Sequence, residues 1–266
     1  MADPTGRQLA VVTGASSGIG LELAKQFADN GFDLIIAAED AGIQDAAQTL
    51  ETHGAHVEAV QVDLAAHDGV HTLYERIQAA GRPVDAIALN AGVGVNGAFI
   101  DTDLDEEMNL INLNVVSVVH LAKHVIKDMA ARGQGRVLFT ASIASLSPGP
   151  FFAVYSASKA FVYSFAQSIR NELKDTGVSV TALLPGATDT NFFSRADMED
   201  TKAGVSEKDD PAQVAKQGFD ALMAGDDHVV GGKFMNKVQA TLMNVMSEPA
   251  KAAQMRKTVE PGSADD

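Results

Sequence analysis

The chain contains no cysteine and no tryptophan. Without thiols it has no disulfide, no thiolate nucleophile and no metal site built on sulfur. Cationic side chains are scarce: 20 Lys and Arg stand against 35 Asp and Glu, a formal net charge of −15 over 266 residues. Such a chain lacks the basic face that nucleic acid or an anionic membrane demands. No continuous apolar run approaches the roughly 20 residues of a membrane-spanning helix. The opening Met1-Ala2-Asp3-Pro4 has neither the basic nor the apolar region of a secretory signal. The expectation is a soluble cytoplasmic protein. What the chain does have is material for a core, with 46% hydrophobic and 21% charged residues, a balance that excludes general disorder.

The first two thirds alternate two periods. Apolar runs at 9–13, 32–38, 56–62, 86–89, 136–141 and 178–184 read as strands buried on both faces. Between them, helical spacing recurs over 19–30, 44–53, 69–80, 104–131 and 154–176, the last closed by Gly177. Alternation of this kind predicts a single-domain α/β fold, a doubly wound parallel sheet with helices on both faces. Residues 1–235 form that domain, and 187–210, polar and too long for a simple turn, predict a flap. A helix over 211–224, begun by Pro211, and a last strand at 228–230 complete it. Residues 236–266 are a Met-rich amphipathic segment and a tail, frayed and acidic from 261. There is no internal repeat and no linker.

Between the first strand and first helix lies Thr13-Gly14-Ala15-Ser16-Ser17-Gly18-Ile19-Gly20. Gly14 permits a sharp turn off the strand, Gly18 lets backbone approach a pyrophosphate, and Gly20 lets helix and strand pack closely. The helix N-terminus adds N–H donors and partial positive charge. An acidic protein can hold an anionic cofactor in this way.

The spacing Thr-Gly-x3-Gly-x-Gly resembles that of the short-chain dehydrogenase/reductase family. Further segments match it in order: Asp63-Leu64, Asn90-Ala91-Gly92, Ser142 ahead of Tyr155-Ser156-Ala157-Ser158-Lys159, and Pro185-Gly186-Ala187-Thr188-Asp189-Thr190. The resemblance covers residues 7–235. It implies a Rossmann-type fold, an NAD or NADP cofactor, a small carbonyl or alcohol substrate and a homodimer or homotetramer. The cofactor residues it implies are Gly14, Ser16, Ser17, Gly18, Ile19 and Gly20 around the phosphates and Asp63 and Leu64 at the adenine. Asn90, Ala91 and Gly92 follow the fourth strand, and Pro185, Gly186, Thr188 and Thr190 lie at the nicotinamide end. Each match sits at the C-terminal end of a strand or on the helix beyond, where open α/β sheets bind ligands.

Tyr155 and Lys159 are four residues apart and share one helix face. A neighbouring ammonium is expected to lower the phenol's pKa from its usual ~10 and fit Tyr155 as general acid/base. The resemblance adds that Lys159 holds the nicotinamide ribose. Ser142, thirteen residues before Tyr155, can hydrogen-bond the substrate oxygen, with Ser145 as rival. The resemblance gives Asn114 a place beside a proton-relaying water in a kinked helix, with Asn112 the near alternative.

The second strand ends Ala37-Ala38-Glu39-Asp40. The family's NAD marker, Asp in place of Ala38, and its NADP marker, a basic residue in place of Glu39, are both absent. Carboxylates repel a 2′-phosphate and no cation compensates in the sequence, so Glu39 favours NAD. Leu89 departs from the family's second Asn. Val93, Val95, Phe151, Phe152, Phe192, Phe193 and Met198 predict an apolar wall for a neutral ketone or secondary alcohol, with Arg195 leaving room for an anionic tail. The pairs His67/His71 and His120/His124, each one turn apart, are incomplete as zinc sites and are read as solvent or interface residues; no metal is expected. Met235, Met243 and Met246 read as packing. The reading is an NAD(P)-dependent oxidoreductase. The alternatives are a dinucleotide-binding sensor or scaffold without turnover, and an isomerase or epimerase on the same fold.

Overall fold

A computed structural model describes residues 6–243 and 245–265. The N-terminal residues read above for a signal, Asn244 and Asp266 lie outside the described residues. Seven parallel strands form one sheet in the order β3-β2-β1-β4-β5-β6-β7. They are β1 (Gln8–Thr13), β2 (Phe32–Ala38), β3 (Val57–Gln61), β4 (Ala86–Leu89), β5 (Gly135–Thr140), β6 (Val178–Pro185) and β7 (His228–Gly231). The continuous apolar runs are the central strands: all seven residues of β2 are buried.

Helices cover both faces. On one side α1 (Gly18–Asp29), α2 (Gly42–Glu51) and α9 (Pro211–Ala224) bury Leu23, Phe27, Ile43, Leu50, Phe219 and Leu222. Phe27 makes edge contacts at 5.2 Å with both Phe32 and Phe219. On the other side α3 (His67–Ala79), α5 (Ser117–Arg132) and α6 (Ala153–Glu172) bury Leu73, Leu121, Val125 and Val162. After β1 the chain winds outward through β2 and β3, then returns to β4 on the other side of β1. The reversal splays the loops above β1 and β4 and opens a crevice at their C-terminal ends.

The stretch predicted over 104–131 is three pieces: α4 (Leu104–Ile111), a π-helical turn (Asn112–Val116) and α5. This composite of 29 residues is long and apolar enough to cross a membrane by length and composition, although interspersed charges break it into short apolar runs. Its apolar stripe, with Leu113, Val118, Leu121, Val125 and Met129, belongs to the core against the sheet. The predicted helix 154–176 stops at Glu172, because Thr176 donates to the Leu173 carbonyl through both its N–H (2.9 Å) and its hydroxyl (2.7 Å) and closes the end in a turn.

The flap region holds two single-turn helices, α7 (Phe192–Arg195) and α8 (Lys202–Val205). Its ends are joined by the parallel bridge Thr188–Asp209. Beyond β7 come α10 (Phe234–Met243) and α11 (Glu248–Val259). The tail expected to fray is docked through residue 265. Ser263 is buried, its hydroxyl accepts from Lys202 N at 3.0 Å, and Ala264 N donates to Asp200 O at 3.0 Å.

Candidate active site

Three strand ends are tied together above the sheet. Thr13 Oγ1, at the tip of β1, accepts from Asn90 N (2.9 Å) and Ala91 N (3.1 Å) beyond β4. Asn90 Nδ2 returns a bond to Thr13 O at 3.1 Å, and Asn90 Oδ1 accepts from Thr140 Oγ1 of β5 at 3.1 Å. The glycine turn fits into this frame with no room for side chains. Gly14 has φ +66° and a Cβ there would lie 2.9 Å from Ala91 Cα; one on Gly20 would lie 2.0 Å from Gly14 O. The N-terminus of α1 therefore sits directly against the crevice, and the Ser17 side chain makes no capping hydrogen bond to it. Its first-turn N–H groups and the hydroxyl of Ser17 form a cradle that fits a pyrophosphate, with Ser16 beside it.

A cavity of about 530 Å³ runs from this cradle to the flap, and every residue assigned to the cofactor in the sequence lines it. Its far end holds Ser142, Tyr155 and Lys159. Tyr155 is 7% and Lys159 4% exposed. Tyr155 stacks on Phe152 at 4.2 Å and Phe192 lies tilted against it at 5.3 Å; Ser142 is close enough to its hydroxyl to lower the phenol's pKa. Ser142 is held in turn, its Oγ accepting from Ala144 N at 3.1 Å. The rival Ser145 is outside the cavity lining.

The electrostatics correct one expectation. Burial pushes the Tyr155 phenol up to about 12, partly opposed by Ser142. Burial pulls the Lys159 amine down to about 8. Desolvation, rather than the ammonium, dominates the phenol: Lys159 Nζ is 5.9 Å from the ring centroid and donates to Thr140 O at 2.9 Å. The carbonyl at the end of β5 thus orients the lysine, a role no sequence signal marks.

Asn114 is fully buried in the π-helical turn and does not line the cavity. Its Nδ2 donates to Val93 O (2.9 Å) and Ser158 Oγ (3.1 Å), and its Oδ1 accepts from Val93 N at 3.0 Å. It fixes the loop that carries Gly92 and Val93. These bonds select Asn114 over Asn112.

The adenosine end corrects a second expectation. Asp40 is engaged locally, accepting from Ser16 Oγ (2.7 Å) and Gly42 N (3.0 Å). Glu39 is paired with Arg195, which arrives from the flap 156 residues later. A cation does stand beside Glu39, and it is the residue read above as a partner for an anionic substrate tail. Both side chains are about half exposed.

The apolar wall is present in part. Val93, Phe152, Phe192, Phe193 and Met198 line the cavity, joined by Met235, Met243, Met255 and Val259 from the C-terminal helices. Val95 and Phe151 do not line it. Phe151 has φ +61°, lies under the Arg256 guanidinium at 4.9 Å, and gives its carbonyl to Gly97 N and Asn96 Nδ2. Asn96 Nδ2 also donates to Val259 O at 2.9 Å, which ties α11 to this edge of the site. The contribution of α11 was missed because its sequence shows no apolar stripe.

Residues 8–201 match the family model for short chain dehydrogenases. An uncharacterized short-chain type dehydrogenase/reductase of Sinorhizobium fredii is 35% identical over 191 residues, 71% of this chain and 73% of that one. Among solved structures, a short-chain dehydrogenase from Sphingobium yanoikuyae in complex with NADPH superposes with a TM-score of 0.79 at 26% identity, covering 91% of this chain and 97% of that one. The 3-ketoacyl-(acyl-carrier-protein) reductase of Brucella melitensis, complexed with NADH, gives 0.73 at 26% identity over 85% of this chain and 97% of that one. The chain belongs to the short-chain dehydrogenase/reductase family. It is a Rossmann-type oxidoreductase of the carbonyl–alcohol class.

Proposed function

We propose that this oxidoreductase interconverts a neutral, apolar ketone and its secondary alcohol, with Tyr155 exchanging the proton at the substrate oxygen. The observation that carries the reading is that buried Tyr155, Lys159 and Ser142 line the same cavity that begins at the glycine cradle. A nicotinamide dinucleotide bound there supplies the hydride. Ser142 and Tyr155 line the same end of the cavity and offer two hydroxyls to a carbonyl oxygen that gathers charge. Tyr155, raised to about 12, stays protonated at neutral pH and so holds the proton that reduction requires. Phe152, Phe192, Met198 and Met255 exclude water from that point.

For the cofactor, the carboxylates of Glu39 and Asp40 support NAD, because Arg195 is already committed to Glu39. The exposed apolar side chains of Met108, Val116 and Phe161 support assembly of the chain into a homo-oligomer through α4, the π turn and α6. Tyr155→Phe tests the central claim. Ketone reduction should fall by at least about 10²-fold, the size of a general acid's contribution, while a fluorescence titration with NADH is unchanged. Retained turnover would overturn the role of Tyr155, and turnover confined to small polar sugars would overturn the substrate class.

A further inference from the structure

The two histidine pairs that are incomplete along the sequence meet in space. His67 and His71 stand one turn apart on α3, and His120 and His124 one turn apart on α5. The imidazole centroids of His67, His71 and His120 lie 4.8–4.9 Å from one another. His124 follows at 5.2 Å from His120. None of the four lines the active-site cavity. A seam between packed helices is ordinarily closed by aliphatic side chains, and below this cluster it is: Val70 and Leu73 of α3 share the core with Val118 and Leu121 of α5. The imidazoles occupy its solvent edge.

We propose that His67, His71 and His120, with His124 as a fourth donor, bind one divalent transition-metal ion of the Zn²⁺ class and thereby clamp α3 to α5. The donor nitrogens of the first three lie within 4.8 Å of one another. A tetrahedral zinc with Zn–N of about 2.1 Å needs them near 3.4 Å. Rotation of the rings closes that gap, and His67 and His71 are exposed and have the freedom to turn. An i, i+4 histidine pair presents two nitrogens on one helix face, and two such pairs on neighbouring helices satisfy a four-coordinate ion. All-imidazole donors select Zn²⁺, Ni²⁺ or Cu²⁺ over Mg²⁺ or Ca²⁺, which prefer oxygen.

The surroundings favour the ion. Asp68 Oδ1 lies 3.6 Å from His67 Nδ1 and adds negative charge beside that ring. Tyr74 stacks on His124 at 4.4 Å and donates its hydroxyl to Asp128 at 2.9 Å, which fixes the fourth ring from behind. The clamp would act structurally: α3 begins just after Leu64, and α5 continues from the π turn that carries Asn114.

The full-length protein, purified without a polyhistidine tag and treated with EDTA, is titrated calorimetrically with ZnCl₂ and with MgCl₂. One Zn²⁺ should bind per chain, raising Tm, and Mg²⁺ should do neither. His71→Ala/His120→Ala should weaken Zn²⁺ binding by at least about tenfold and abolish the Tm rise, with NADH affinity as the control for folding. His67→Gln, an exposed single change, should weaken it in the same direction should the double variant misfold. A stoichiometry well below one, or affinity in both variants within twofold of the parent, overturns the site.

Discussion

Lys159 is a buried amine whose environment works against its charge. Its folded pKa of about 8 lies below the ordinary 10.5. Between those values the unfolded chain binds a proton that the folded protein has released, so stability rises as pH climbs through that window. At and below neutrality the folded state carries the full cost of the buried ammonium. Lys159→Met should therefore raise stability at pH 7, by up to an order of 3 kcal/mol at about 1.4 kcal/mol per pKa unit, less what the Thr140 carbonyl loses with its donor. It should flatten the rise between pH 8 and 10.5 and abolish turnover. Urea unfolding at pH 7 and pH 9 reads this, and a variant less stable than the parent at pH 7 contradicts it. At the other end of the cavity, Glu39→Gln should release Arg195 to a 2′-phosphate. NADPH affinity should rise at least about tenfold, the worth of one hydrogen bond to a charged group, with little change for NADH. An unchanged NADPH affinity in the same fluorescence titration would remove Arg195 from cofactor choice.

At the scale of elements, the strands were the most legible part, because a strand covered on both faces is mostly apolar, as β2, β5 and β6 are; the buried Asp33 of β2 departs from that pattern and is held by ion pairs with Arg7 and Arg82. The glycine cradle was legible for a similar reason: Gly14 and Gly20 sit where a methyl group collides with backbone, and such positions leave a mark in the sequence. The π-helical turn left none, since one extra residue in a turn barely disturbs the apolar spacing of a helix. Asn114 was reached through family resemblance, and its bonds to the Val93 backbone join residues 21 positions apart that no local pattern links. Helix α11 was invisible because only Met255 and Val259 of its twelve residues are buried. The Glu39–Arg195 pair was invisible because it joins residues 156 positions apart, and pairings of that range belong to the fold and not to local pattern.

The whole molecule is acidic yet presents an apolar strip where α4, the π turn and α6 adjoin. Leu104, Met108, Val116 and Phe161 are 72%, 46%, 46% and 42% exposed. Exposed apolar side chains of this kind fit an interface, and a second copy of the chain is the occupant proposed above. Light scattering behind a sizing column should give a dimer or tetramer for the parent and a monomer for Val116→Asp/Phe161→Asp. A monomeric parent would refute the assembly.

The bridge between Thr188 and Asp209, reinforced by Asp189 N to Asp209 O at 2.8 Å and Asp209 N to Ala187 O at 2.7 Å, gives the flap a common root. Twenty residues leave the sheet and come back to the point they left. The entropic cost of closing such an excursion grows only by about 0.6 kcal/mol for each doubling of its length. Closure alone therefore tolerates added length at the exposed residues 205–207, whereas an insertion beside the buried Ala196, Met198 or Ala203 would also disturb the wall that the substrate meets. The architecture separates what must be inherited unchanged, the strand tips and the cradle, from a cassette in which new selectivities can arise without the scaffold being rebuilt.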